Sequence, residues 1–188
     1  MVSFRDAEII AFPVATLSGH RWVTTARLLE LAGCEDVPEE PALDRIFVQP
    51  TAQFYPRLNL GWMLLKTETA NIPLPDGVTA NIKNNLVLVH ENLFPSIVNA
   101  NLETRTSVSI DFETGAGAEG ALFTYEATPR GTLYLGQVDF DDDRFPHYPA
   151  ALNVVNRALN LACQLGIGGM TTRGFGRMAP NLVEIKHA

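Results

Sequence analysis

Short apolar runs separated by turn residues fill the first half of the chain. Residues 7–15 form one such run, which Pro13 and then residues 18–19 bring to an end, and this pattern is typical of a buried strand. Residues 58–67 and 85–91 predict two more strands, and the segment NIPLPDG between them is rich in turn formers. The first half therefore predicts strands joined by short connections.

Helical spacing occurs in three places. Thr24 or Thr25 can cap a short helix whose turns are filled by leucine and alanine, and Gly33 stands where a left-handed C-cap is wanted. Residues 93–98 predict a single helical turn. Residues 149–165 predict the longest helix, because apolar residues recur there at three- and four-residue steps while polar residues take the other side.

Between residues 101 and 140 the pattern changes to the alternation of a half-exposed strand. Positions 102–110 place alternate side chains on opposite faces, and the segment TGAGAEG joins them to the strand ALFTYEA at residues 121–127. GTLYLGQVDF supplies another strand after Pro129, so the region predicts a long hairpin or meander. A last strand is predicted over residues 181–185.

The segment GIGGMTTRGFGR, residues 166–177, holds five glycines and two arginines after the long helix. Glycine lets the backbone approach a partner closely, and arginine can fork onto phosphate oxygens. The segment is neither a Walker loop nor a dinucleotide fingerprint, because it follows a helix and precedes a strand. A plain helix-to-strand connection with a glycine cap fits the spacing equally well.

The hairpin carries a second set of candidate contacts. Arg105 beside Thr104, with Phe123 and Tyr125 across the turn, could bind phosphate and stack on bases. The same residue types suit ordinary strand pairing, and the residues alone favour that structural interpretation.

The composition limits the kinds of partner. The 188 residues fit one domain, and 46% hydrophobic residues are enough for a core. Fourteen basic against 21 acidic residues give a net charge of −7, which argues against non-specific binding of nucleic acid through a broad basic field. Any RNA contact must therefore be local.

Other chemistry is weakly indicated. The aspartates of residues 139–143 favour a solvated loop over a cation site, and His20 and His90 are acid/base candidates without a completing partner. Cys34 and Cys163 lack metal or disulfide spacing, which fits a reducing cytoplasm. The start of the chain has no cleavage pattern of a signal peptide, and no apolar stretch predicts a membrane span.

Four blocks in the same order resemble the RAMP superfamily of CRISPR systems, most closely the backbone subunits of type III-B (Cmr) effector complexes, the fourth Cmr subunit. The blocks are SFRDAEIIAFPV, LVLVHENLF, ETRTSVSIDFETGAGAEGALFTYEATPRGTLYLG and GIGGMTTRGFGRM. The third block is the more specific, because glycine-rich loops like the fourth occur across the superfamily.

The resemblance implies an α+β fold in one domain, residues 1–188. It implies an RRM or ferredoxin-like palm over residues 1–98 and 129–188, with a long β-hairpin thumb over residues 99–128. Family members begin with a strand, a loop bearing the aspartate of metal-dependent cleavage, and a helix, none of which precedes Phe4 here. We therefore expect the N-terminal part of the family domain to be missing and assign no catalytic residue.

The function implied by the resemblance is that of an RNA-binding subunit that holds guide RNA and spaces the guide–target duplex in antiviral defence. The implied RNA contacts are Thr104, Arg105, Phe123, Tyr125, Gly168, Gly169, Arg173, Gly174, Gly176 and Arg177. The implied partners are guide RNA, target RNA, other subunits of the complex and further copies of the chain, without a membrane.

No cofactor is expected, and a divalent metal only if the intact assembly is a nuclease. Two alternatives stay open: a metal-dependent endoribonuclease subunit that cuts target RNA, and a protein-interaction remnant without RNA binding.

Overall fold

The structure, a computed structural model, describes residues 2–75, 77–117, 120–140 and 148–180. These residues divide into two compact units, and each is described by itself. The larger unit runs over Ala7–Leu135, and the smaller unit combines the residues up to Asp6 with those from Gly136 onward. The predicted strand at residues 181–185 and the aspartates at positions 141–143 lie outside the described residues.

The strands in chain order are β1 (Val2–Phe4), β2 (Glu8–Thr16), β3 (Gly19–Thr24), β4 (Arg45–Val48), β5 (Arg57–Leu60), β6 (Met63–Thr69), β7 (Leu86–Leu88), β8 (Glu103–Ser107), β9 (Phe123–Ala127), β10 (Leu133–Leu135) and β11 (Val138–Phe140). The α-helices are α1 (Ala26–Leu31), α2 (Ala80–Asn84), α3 (Phe94–Ala100) and α4 (Tyr148–Leu165). Single turns of 3-10 helix lie at Glu91–Leu93 and Thr171–Arg173.

A mixed seven-stranded sheet forms the centre of the larger unit, in the order β10-β2-β3-β7-β4-β6-β5. The pairs β3–β7 and β4–β6 are parallel, and the other neighbours are antiparallel. The sheet therefore combines local hairpins with crossover connections, which makes the fold a mixed α+β fold with a mostly sheet core.

Apolar side chains cover both faces of this sheet. One face buries Phe12, Val23 and Val87 together with Ile97 of α3. The opposite face buries neighbouring strand residues such as Leu86 and Leu88, together with Leu29 of α1 and Ile82 of α2. A strand that is buried on both faces has a continuous apolar sequence, which explains why the sequence predicted β2 and β7.

The first predicted strand and the helix after it are confirmed as β2 and α1. The Thr25 side chain accepts a hydrogen bond from the Leu28 amide and is the N-cap of α1. The expected break at Pro13 is wrong, because Pro13 lies within β2 opposite Trp22. The neighbouring strand β10 pairs with β2 only as far as Ala11. Beyond that point no described strand pairs with this edge of β2, and a residue without an N–H is tolerated there.

Two predicted strands are each divided in the structure. Residues 58–67 belong to the hairpin β5–β6, whose turn places Gly61 at a φ of +66° before the exposed Trp62. GTLYLGQVDF is divided between β10 in the larger unit and β11 in the smaller one. In the first case the positive φ of Gly61 allows the chain to reverse inside an otherwise continuous apolar pattern.

Strands β1, β3 and β4 and helix α2 have no counterpart among the predicted elements. In β3 the buried positions include Arg21, which breaks the apolar pattern, while β4 and α2 have only four and five residues. The strand predicted at residues 85–91 is confirmed as the shorter β7, and the predicted turn at 93–98 is α3. Tertiary contacts, not local pattern, define the elements that were missed.

The predicted hairpin is confirmed by the antiparallel pair β8–β9, which forms a separate two-stranded sheet. In the smaller unit β1 pairs with β11, where Arg5 Nε donates to Asp139 Oδ2 at 2.6 Å, and the longest predicted helix is confirmed as α4. No helix in the described ranges is long and apolar enough to cross a membrane. The palm and thumb limits and the single domain stay predictions.

The cap of α1 makes the first testable prediction. Replacing Thr25 by alanine removes the oxygen that receives the Leu28 amide, and we expect the free energy of unfolding to fall by about 1–2 kcal/mol. Thr25→Ser keeps the oxygen and should retain most of the stability. Urea denaturation followed by circular dichroism measures both changes.

A matched control is Thr79→Ala. Thr79 is the N-cap of α2 but makes no side-chain capping bond, so its replacement should change the unfolding free energy by less than about 0.5 kcal/mol. Equal losses for Thr25→Ala and Thr79→Ala would contradict the assignment of the capping bond.

Candidate nucleic-acid interface

The register of β8 and β9 determines which of the predicted contact residues share a face. Arg105 lies directly opposite Tyr125, and Ser107 lies opposite Phe123. Because side chains alternate along a strand, Arg105, Phe123 and Tyr125 occupy the same face of the hairpin. Thr104, which lies opposite Glu126, falls on the other face. The structure therefore brings three of the four predicted hairpin residues together.

Phe123 and Tyr125 form an aromatic pair on this face. Their ring centroids are 5.9 Å apart and their planes are inclined by 31°. The Ser107 hydroxyl donates to the Tyr125 hydroxyl at 3.5 Å, across the strand pair. Phe123 is 42% exposed, so an apolar ring on an otherwise polar strand is available to a flat partner.

Arg105 is held beside these rings by an ion pair with Glu103. Its Nε donates to Glu103 Oε1 at 2.7 Å, and its second terminal nitrogen lies 2.6 Å from the same oxygen. Both side chains are about half exposed, and exposed ion pairs contribute little stability, typically about 0–1 kcal/mol. The guanidinium can therefore exchange Glu103 for another anion at small cost.

The far end of the hairpin carries exposed apolar side chains that are not among the predicted contact residues. They are Val108, Ile110, Phe112 and Leu122, each at least half exposed. A compact turn supports them, in which Asp111 Oδ1 accepts the amides of Glu113 and Thr114. The sequence signal was present as alternating apolar residues beside a glycine-rich tip, but alternation alone is also typical of a buried strand face.

The glycine segment forms a closed loop after α4. The Gly166 amide donates to the Ala162 carbonyl at 2.7 Å and ends the helix with a φ of +83°, as expected for a C-cap glycine. The Ile167 amide then donates to the Gly176 carbonyl at 2.9 Å, which joins the two ends of the loop. The 3-10 turn Thr171–Arg173 lies between them.

Gly176 is the position at which this loop requires glycine most strictly. It has a φ of +68°, and a Cβ added there would lie 1.9 Å from the Ile167 carbonyl oxygen. Gly168 and Gly174 also have positive φ but face open space, whereas Gly169 has neither restriction. The glycines among the predicted contacts therefore differ in role. At position 176, close packing against the Ile167 backbone is enough to explain why glycine is required.

The two arginines of the loop are both exposed. Arg173 closes the 3-10 turn, where its amide donates to the Met170 carbonyl at 2.8 Å, and Arg177 follows the loop directly. The two arginines lie directly before and directly after residues 174–176 (GFG). The backbone constraint at Gly176 thus fixes the chain direction immediately before Arg177.

The other candidate groups named from the sequence include His90 and Cys34. His90 Nδ1 accepts the Asn92 amide at 3.1 Å and caps the 3-10 turn that begins at Glu91. Burial raises the pKa of the Cys34 thiol. Among the residues that the structure describes, no group of three or more His, Cys, Asp or Glu side chains could hold a metal ion.

Comparison with known proteins identifies the family. The sequence model of the RAMP superfamily matches residues 1–179, and the chain therefore belongs to the RAMP superfamily. No curated protein matches the sequence.

Solved structures of type III-B complexes contain chains with a similar fold. A chain of the Cmr-beta complex in its apo state superposes with a TM-score of 0.63 at 16% identity, covering 94% of this chain and 68% of the other. Cmr-beta bound to cognate target RNA gives the same values. Oligomeric Cmr4 from Pyrococcus furiosus gives 0.56 at 19% identity, covering 94% and 70%. The predicted resemblance to the superfamily is confirmed, and at these identities the structural likeness extends to the fold.

The glycine loop makes the second prediction. Gly176→Ala should open the loop, because the new Cβ cannot coexist with the Ile167 carbonyl and the positive φ alone costs about 1–2 kcal/mol. Hydrogen exchange of the Ile167 amide, which bonds to Gly176, should become at least tenfold faster.

Two alanine variants separate the causes. Gly168→Ala has the positive φ without the clash, and Gly169→Ala has neither. We expect the Ile167 amide to exchange in the order Gly176→Ala fastest, then Gly168→Ala, with Gly169→Ala close to the unaltered chain. Identical exchange in all three variants would show that the loop is not closed at Gly176.

Proposed function

We propose that this chain is an RNA-binding backbone subunit of a type III CRISPR interference complex of the Cmr kind. In this role it holds guide RNA and spaces the guide–target duplex in antiviral defence. The observation that carries the proposal is the shared face of Arg105, Phe123 and Tyr125 on a separate hairpin, in a chain of the RAMP superfamily.

The hairpin face has the chemistry of a single-strand contact. Aromatic rings stack on bases of any sequence, and an adjacent guanidinium binds the backbone phosphate. Phe123 and Tyr125 supply the rings, and Arg105 lies directly across from Tyr125. Base pairing between guide and target would supply the sequence recognition, while the protein contacts shape and charge.

The glycine loop supplies the second proposed contact. Exposed Arg173 and Arg177 can approach phosphate oxygens, and the glycines between them allow the RNA backbone to come close. A Cβ at Gly168, Gly169 or Gly174 would meet no atom of this chain within 4 Å. The role proposed for these three glycines is therefore to leave space for the RNA backbone. A locally basic loop is compatible with a net charge of −7, since the RNA contact needs only a few cations.

The proposed partners are guide RNA, target RNA, other subunits of the effector complex and further copies of this chain. Support comes from the structures with a similar fold, which include a Cmr-beta complex bound to cognate target RNA and an oligomeric Cmr4. The exposed apolar end of the hairpin fits a protein neighbour, because side chains such as Phe112 are fully exposed in the single chain. We propose no catalytic step for the chain.

Loss of stacking gives the third prediction. Phe123→Ala should weaken binding of guide-length single-stranded RNA by about 1–3 kcal/mol, at least fivefold in Kd, in a filter-binding titration of the full chain with its partner subunits. Phe123→Trp keeps a stacking surface and should bind as the unaltered chain does. Phe54→Ala, at another exposed phenylalanine, is the matched control and should have no effect.

Salt dependence gives the fourth prediction. Removing Arg173 and Arg177 together by alanine should lower the slope of log K against log salt by about 0.7 for each lost phosphate contact. The control pair Arg57→Ala with Arg130→Ala removes the same charge from exposed positions outside the proposed interface. An unchanged slope in the first pair, or an equal decrease in both pairs, would contradict the loop contact.

A further inference from the structure

A polar cavity in the larger unit lies apart from the hairpin and the glycine loop. It has a volume of about 320 Å³, which falls within the range of small-molecule sites. It opens between the β2–β3 turn and the C-terminal end of α2. The lining residues are Ser18, Gly19, His20, Trp22, Asn81 and Asn85.

Behind the wall of this cavity lies Arg21, a buried cation that is only 2% exposed. One terminal nitrogen donates to Asn85 Oδ1 at 3.0 Å, and the other donates to Ser18 Oγ at 3.4 Å and to the Gln53 carbonyl at 3.3 Å. Both Ser18 and Asn85 line the cavity, so the guanidinium lies directly against it.

No acidic side chain that the structure describes compensates the charge of Arg21. Its hydrogen bonds go to neutral oxygens, and no described carboxylate forms an ion pair with it. Its Nε is fully buried and has no hydrogen-bond partner in the described part of the protein. Burial lowers the pKa of the Arg21 guanidinium, with Tyr55 acting in the opposite direction. The Nε is too deeply buried for a ligand in the cavity to reach it, but an anion held at Ser18 and Asn85 would offset the cost of the buried charge.

The hydrogen-bonding state of the lining residues points to the same kind of ligand. Asn85 Nδ2 donates to the carbonyl and to Oδ1 of Asn81, at 2.9 and 3.2 Å, while Asn85 Oδ1 accepts from Arg21. The acceptors of both amides are therefore occupied from within the chain. In the described residues the Asn81 Nδ2 and the His20 ring nitrogens make no hydrogen bond, which leaves donors at the surface of the cavity.

We propose that this cavity binds the phosphate group of a phosphate ester. Asn81 and His20 hydrogen-bond the phosphate oxygens, and Arg21 supplies positive charge from behind Ser18 and Asn85. Donors without a competing carboxylate favour an oxyanion over a cation or a neutral sugar. The ester is either a free nucleotide or a phosphate of an RNA strand, which offer the same group.

Calorimetric titration of the full chain tests this site with 5′-adenosine monophosphate, inorganic phosphate and a short single-stranded RNA, with adenosine as the probe that lacks phosphate. We expect saturable binding of adenosine monophosphate and none of adenosine. Asn81→Asp, nearly the same shape with an added negative charge, should weaken binding at least tenfold, and His20→Ala should weaken it by a smaller factor.

Asn59→Asp is the matched control, because it adds the same charge at an exposed position of β5. It should bind as the unaltered chain does, and thermal melting by circular dichroism should show that all variants are folded. If RNA displaces the mononucleotide and Asn81→Asp also weakens RNA binding, the phosphate belongs to an RNA strand. If the mononucleotide binds without competition from RNA, the ligand is a free nucleotide.

Two results would overturn the proposal: no saturable binding of adenosine monophosphate or inorganic phosphate, or equal affinity for adenosine monophosphate in Asn81→Asp and the unaltered chain. Neither depends on the proposed RNA contacts. Those contacts are removed by changes at Phe123 or at the loop arginines, which leave this cavity intact. Failure of the cavity proposal is therefore distinguishable from failure of the RNA-binding function.

Discussion

Burial of a seven-stranded sheet on both faces is the constraint on which the larger unit depends. Each central strand must alternate its apolar side chains between two separate clusters, and the helices and loops exist to cover them. In β7, Val87 belongs to one cluster while Leu86 and Leu88 belong to the other. A one-residue slip in such a strand would exchange the two faces and put each side chain into the wrong cluster, so the close packing of the two clusters specifies the register.

The paired hairpin β8–β9 follows a different rule. Its strands are mostly exposed and pair only with each other in the described ranges, so cross-strand side-chain pairs and hydrogen bonds hold it together. A hairpin of this kind leaves its side chains available to a partner. The same lack of burial that makes β8 and β9 marginal as a core element makes Phe123 and Tyr125 accessible.

The two proposed sites differ in how far their arginine side chain is buried. At the hairpin, Arg105 is neutralised by Glu103 in an exposed ion pair, where water screens the charges and exchange is easy. At the cavity, Arg21 is buried against neutral oxygens, where low polarity makes an uncompensated charge costly. The first arrangement suits a contact that forms and breaks along an RNA strand, and the second suits an anion bound close enough to offset the buried charge.

Local pattern was enough to predict β2, α1, α4 and the long hairpin, because each has a periodicity or a cap that short-range chemistry enforces. The face shared by Arg105, Phe123 and Tyr125 needed the register of the strand pair, which depends on how two distant segments align. Two further features depended on contacts with distant parts of the chain: the division of GTLYLGQVDF between two units, and the position of Arg21 in a buried strand. A buried arginine looks like an exposed one in a sequence, because only the folded chain removes its water.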